Sequence, residues 1–304
     1  MIITFIFTVL GLALFEIISS ADNAIINAEV LRTMSDKMRR RFLLWGIIFA
    51  VFVVRGVLPW MIVWAATPAL GPIGAFSAAW SSDPAVRIAI ERSTPLLMAG
   101  GGVFLLFLFL HWLFLEQKQF GLRAESFFLK QGVWFYAIVS ILLSVLVWCM
   151  QRQDPLMAFG AVLGSTAFFI THGFKENAER AEKDLLAGSL RSDLSKMLYL
   201  EVIDATFSID GVLGAFAFTL SVPLILIGNG IGALVLRKLT VSHIETIKKY
   251  VFLKNGAMYS VFFLGIVMLL NAFRVAVPEW VSPLLTFVTV GYFFLKSRRL
   301  ALVH

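Results

Sequence analysis

Short charged intervals cut this chain into nine apolar stretches, at roughly 3–30, 42–66, 95–115, 133–150, 155–173, 198–219, 222–240, 256–272 and 281–296. Crossing a bilayer takes about 20 apolar residues of helix. Within the hydrocarbon every backbone N–H and C=O must find its partner inside the protein, which restricts spans to helices or closed barrels. The stretches have helical length, so the chain is expected to be an all-α polytopic membrane protein with about nine transmembrane helices in a single domain, 1–304. Composition agrees: 59% of the residues are hydrophobic and 15% charged, against about 25% charged in soluble domains.

Lys and Arg set the expected orientation, because they concentrate in cytoplasmic loops. Arg32, Lys37, Arg39, Arg40 and Arg41 follow the first stretch. Alternation from there puts 21 of the 26 basic residues on one side. Arg87, Arg92, Arg152 and Arg274 fall on the other, and Arg55 lies within a stretch. The reading is a multi-pass protein of the inner (plasma) membrane, N-terminus outside and C-terminus cytoplasmic. The first stretch lacks a positive leader and exceeds a signal h-region, so it reads as a true span. Basic residues separated by apolar spans give the net charge of +7 no nucleic-acid meaning; the partner they imply is the lipid bilayer. Lone Cys149 offers neither a disulfide nor a thiolate metal site. The interval 67–94 reads as an ordered external loop or short interfacial helix, and 174–197, with mixed signs at helical spacing, as a solvated helical extension.

Two polar motifs stand where charges are costly. Glu16-Ile17-Ile18-Ser19-Ser20-Ala21-Asp22-Asn23 lies in the first stretch and Asp204-Ala205-Thr206-Phe207-Ser208-Ile209-Asp210-Gly211 in the sixth. Ionisable residues at membrane depth mark functional sites by default. Aligning Asp22 with Asp210 puts Glu16 on Asp204 and Ser20 on Ser208. In the following stretches Gly46 precedes Arg55, and Gly228 precedes Arg237, by the same nine residues. Spans one to three are therefore expected to repeat as spans six to eight, with halves at about 1–115 and 198–272. Five intervening spans make the offset odd and the second copy inverted, an architecture of many secondary transporters.

Helical geometry groups Glu16, Ser19, Ser20, Asn23 and Asn27 on one face, and Glu201, Asp204 and Ser208 on another. Each aspartate lies about 240° round from the acid six residues before it. Asp22 and Asp210 thus require either a local break in the helix or a different neighbour. The donors are all oxygen: Glu16, Ser20, Asp22, Asn23, Glu201, Asp204, Ser208 and Asp210. Oxygen sets suit Mn, Ca or Mg, whereas zinc favours His and Cys. Five carboxylates face Arg55 and Arg237, read as counter-ions or conformational latches. If all were ionised the balance would be −3, which a divalent cation and a proton would neutralise. Glu201 has no acidic counterpart, Ala13 standing at its place, and is an extra ligand or the proton carrier. The bland alternatives are that Glu16 or Asp204 pairs with an arginine as packing glue, and that Ser20 and Ser208 bond backbone carbonyls. His111 and His172 are either a proton relay or hydrogen-bonded core histidines.

On Asp22-Asn23, on Phe207-Ser208-Ile209-Asp210 with its Glu201-x-x-Asp204 lead-in, and on Arg55 and Arg237, the chain resembles the TerC (tellurium resistance) family within the LysE-like transporter group. Gly211 stands where that family usually has Ser. The resemblance implies export of manganese or a related divalent cation. The expectation from sequence is therefore a secondary exporter driven by proton antiport, with no organic cofactor, and no enzyme. Its alternatives are an exporter of a small organic cation or amino acid, and a non-transporting membrane scaffold in a metal or tellurite stress response.

Overall fold

The computed structural model describes residues 2–301 except 22–23, 25–27, 29, 32, 47–48, 78–83 and 187–191. Among the described residues the chain is helical and has no strand. The helices are α1 (Ile2–Ser19), α2 (Asp36–Arg41), α3 (Leu58–Ala66), α4 (Gly71–Ser77), α5 (Pro84–Leu115), α6 (Arg123–Lys130), α7 (Phe135–Gln151), α8 (Pro155–Leu186), α9 (Asp193–Ala215), α10 (Val222–Lys248), α11 (Leu253–Ala272) and α12 (Val281–Ala301). Two π-helical segments, Phe42–Gly46 and Phe49–Val57, lead into α3.

The chain is a membrane protein: six described helices are long and apolar enough to cross a bilayer, up to seven if one bent pair makes a span. The six are Ile2–Ser19, Pro84–Leu115, Gly132–Gln151, Pro155–Asn177, Val222–Leu239 and Leu253–Ala272. The bent pair, Arg55–Ala66 and Pro68–Phe76, turns by 104° at Thr67. Thr67 turns the chain because Pro68 has no N–H to continue α3. The expected spans at 198–219 and 281–296 coincide with α9 and α12, which fall outside the six. Much of the 67–94 interval is helical: a short 3-10 turn, α4, and a first part of α5 that begins at Pro84.

Glycine lets the central helices touch. α5 lies between α8 and α11. A Cβ on Gly164 would come within 2.0 Å of the Gly100 carbonyl oxygen, and one on Gly160 within 2.4 Å of the Leu96 oxygen. Gly160-x-x-x-Gly164 is thus the small-residue face that brings two membrane helices to backbone contact. On the other side of α5, a Cβ on Gly102 would meet Leu269 at 2.8 Å. Phe104, Phe107, Trp112, Phe168, Leu264 and Met268 fill the core between these three helices.

α1 runs alongside both α10 and α9. Gly228 and Gly232 of α10 abut Leu12 and Glu16 in turn, so α1 and α10 are parallel. Gly211 abuts Glu16 and Gly214 abuts Phe15, whose ring meets Phe218 at 5.8 Å, so α1 and α9 are antiparallel. This packing seals the polar part of α1 inside the bundle.

Candidate functional site: a buried charge network

Glu16 is fully buried at the centre of the α1 contact face. Its Oε1 accepts from Ser20 Oγ at 2.8 Å, from Arg55 Nε at 2.9 Å and from Arg55 Nη2 at 2.5 Å. Arg55 comes from the π-helical segment Phe49–Val57 and is 2% exposed. Its Nη1 lies 3.6 Å from Asp204 Oδ2 of α9. One guanidinium therefore stands between the two acids that the sequence alignment equates. Buried ions of this kind persist only when paired, since each loses its hydration.

A second pair lies beside the first. Arg237 of α10 approaches Glu201 of α9 at 3.8 Å and sits over the Phe42 ring at 4.3 Å. Gly46 makes room for it: a Cβ there would be 2.1 Å from Glu201 Oε1 and 2.4 Å from Arg237 Nη2.

Asp210 turns elsewhere. α9 is helical throughout, Gly211 included, so no break swings Asp210 onto the face of Glu201, Asp204 and Ser208. It meets a different neighbour, Lys175 of α8, whose Nζ ion-pairs with Oδ2. Sequence reading had placed Lys175 in the solvated extension. α8 carries the helix on to Leu186, and Phe168, Thr171 and Lys175, spaced three and four apart, share its inward side. That spacing is the signal that could have found it. One turn before Lys175, His172 meets His111 of α5 with ring centroids 4.0 Å apart, and its Nε2 lies 3.4 Å from Glu176 Oε1.

Several buried polar atoms have no hydrogen-bond partner among the described residues: Glu16 Oε2, both oxygens of Glu201, Ser208 Oγ, Asp210 Oδ1 and the Asn229 carboxamide. Leaving a buried polar atom unmatched costs about 1–3 kcal/mol. Of these seven atoms six are oxygens, five from carboxylate or hydroxyl groups and one from the carboxamide. Ser208 lies one turn before Gly211, and Asn229 one turn before Gly232, and both glycines abut Glu16. Asn229 is not among the donors expected from the sequence. Its signal is a carboxamide between Gly228 and Gly230, in a run otherwise apolar from Val222 to Leu236.

Asp22 and Asn23, the remaining expected donors, lie outside the described residues. Among the described residues no three His, Cys, Asp or Glu side chains gather as a metal site. The arrangement holds paired charges in a dry interior and leaves oxygen atoms beside them.

No curated protein and no solved structure matches the chain. One family model matches residues 21–301, almost the whole sequence and all of the network except Glu16 and Ser20. The chain belongs to that family, described as a protein of unknown function (DUF475).

Proposed function

We propose that the chain is a secondary-active exporter of a divalent cation, manganese foremost, coupled to counter-movement of protons. The observation that carries this reading is the set of buried oxygens without a hydrogen-bond partner on Glu16, Glu201, Ser208, Asp210 and Asn229. Hard oxygen donors of this kind suit Mn, Ca and Mg. Asp22 and Asn23 would join them from the first motif. The TerC-like motifs belong to the same proposal.

Nine spans, an outside N-terminus and two inverted halves complete it. Two contacts support the inversion. Gly46, in the second span of one half, abuts Glu201 on the first helix of the other; its counterpart Gly228 abuts Leu12 on α1. α1 and α9, the equated helices, run antiparallel as inversion requires.

Lys175 alters the charge count. The five carboxylates of the two motifs and their lead-in (Glu16, Asp22, Glu201, Asp204, Asp210) are then counted against three cations (Arg55, Arg237, Lys175), and full ionisation leaves 5 − 3 = 2 negative charges. One divalent ion balances that. Lys175 then acts as a tethered counter-ion that leaves Asp210 as cargo arrives, and Glu201 carries the exchanged proton.

The experiment is a metal panel read by thermal stability of the purified chain, with Mn, Ca, Mg, Zn and Ni. Manganese should stabilise the wild type selectively and Asn229→Leu and Ser208→Ala much less. No selective stabilisation by any divalent ion would sink the metal reading.

A further inference from the structure

A cleft of about 690 Å³ lies away from the charge network, at one end of three packed helices. Ile88, Glu91, Arg92, Thr94 and Pro95 of α5 line it, with Asp154 and Leu156 at the start of α8 and Asn271 and Arg274 at the end of α11. The lining sits where apolar spans give way to polar chain, the level at which a bilayer places its headgroups. Arg152, two residues before Asp154, stacks on the Trp148 ring at 4.6 Å, and Trp280 is exposed a few residues beyond Arg274. Tryptophans of this kind collect at membrane interfaces.

The cleft is charged but neutral in sum, with two carboxylates and two guanidiniums. Among the described residues neither Arg92 nor Arg274 is ion-paired. Arg274 also holds a strained backbone. It is the only described residue other than glycine with positive φ, at 60°. It occupies the left-handed position of a helix end: Val275 N–H bonds the Leu270 carbonyl and Arg274 N–H bonds the Asn271 carbonyl. Glycine is the usual residue there, and a side chain costs about 1–2 kcal/mol. The guanidinium is kept at the rim of the cleft against that cost.

We infer that this cleft binds the headgroup of a phosphoethanolamine lipid. Arg92 and Arg274 would fork onto the phosphate, as guanidinium does with paired oxygens. Asp154 would accept from the ammonium, which has three N–H donors. A choline headgroup has no N–H to offer, and no aromatic residue lines the cleft to cage it. A purely anionic headgroup would leave Asp154 facing like charge. The exposed Ile88 and Leu156 provide an apolar edge for the acyl chains.

The test uses the full-length purified chain, stripped of lipid and offered phosphatidylethanolamine, phosphatidylcholine or phosphatidylglycerol, with retained lipid counted by native mass spectrometry. Phosphatidylethanolamine should be retained about tenfold better than the other two, the effect of one charge-assisted contact. Arg274→Gly removes the guanidinium while relieving the backbone, so it should fold and lose retention. Asp154→Asn keeps a carbonyl oxygen for the Leu156 N–H that Asp154 caps and should lose the preference over phosphatidylcholine. Equal retention of all three lipids by the wild type, or undiminished selectivity in both variants, would overturn the inference. Soluble phosphoethanolamine stabilising the chain as strongly as the lipid would overturn the lipid assignment.

Discussion

Arg55 donates to a single oxygen of Glu16 through both Nε and Nη2, at 2.9 and 2.5 Å, and leaves the other oxygen of that carboxylate unpartnered. This asymmetry makes Glu16 at once a tied residue and an available donor. Breaking a buried pair from one side costs about 3–5 kcal/mol, because a bare charge remains. Arg55→Met should therefore destabilise the chain by that order, and Glu16→Gln combined with Arg55→Met by less than the two singles summed. A double-mutant cycle on unfolding in detergent measures it.

The glycines offer a contrast. Gly46→Ala puts a methyl group into Glu201 and Arg237 and should cost about 1–3 kcal/mol, the usual range for overpacking. Gly173→Ala, in open space on α8, should be neutral or stabilise by about 0.5–1 kcal/mol. Melting temperatures of the two variants should move in opposite directions or differ clearly in size.

Under the proposed function Lys175, paired with Asp210, competes for it with the arriving cation. Lys175→Met should melt lower than wild type without metal, since Asp210 is left alone. Added manganese should then raise its melting temperature by more than it raises that of the wild type. An equal rise in both proteins would show that Lys175 does not stand in for the cargo.

Much of this was readable in the sequence. The apolar stretches announced the helices, and the 240° rotation between Asp204 and Asp210 announced that Asp210 could not share the Ser208 face of an intact helix. The sequence left two solutions open there, and α9 takes the one without a break. What stayed hidden depended on partners distant in the chain. Lys175 looked solvated because charge composition registers a segment's average, not which residue of α8 turns inward. The π-helical turns that carry Arg55 to Glu16 have no compositional mark, and the bend at Thr67 needed the following Pro68 to be read as a corner instead of a loop. α9 and α12, expected as spans, carry charge that keeps them outside the six strongly apolar helices.

Outside the spans, Lys118 caps the end of α5. Its Nζ donates to the carbonyls of Trp112 and Leu113, and burial pulls its pKa from 10.5 down to about 8, with Glu125 and Glu116 opposing. Between those values the unfolded chain binds more protons than the folded one, so stability rises with pH. Screening keeps the gain small at this half-exposed amine. The wild type should gain stability relative to Lys118→Met as pH goes from 8 toward 10, and melting curves across that range check it.

The central claim is that the two acidic motifs handle one divalent cation between them. Manganese transport by proteoliposomes under an imposed proton gradient tests it most directly, comparing wild type with Asp22→Asn and Asp210→Asn at matched, verified insertion. Gradient-driven manganese movement is expected in the wild type, and its loss in both variants. Transport by both variants at the wild-type rate would contradict it.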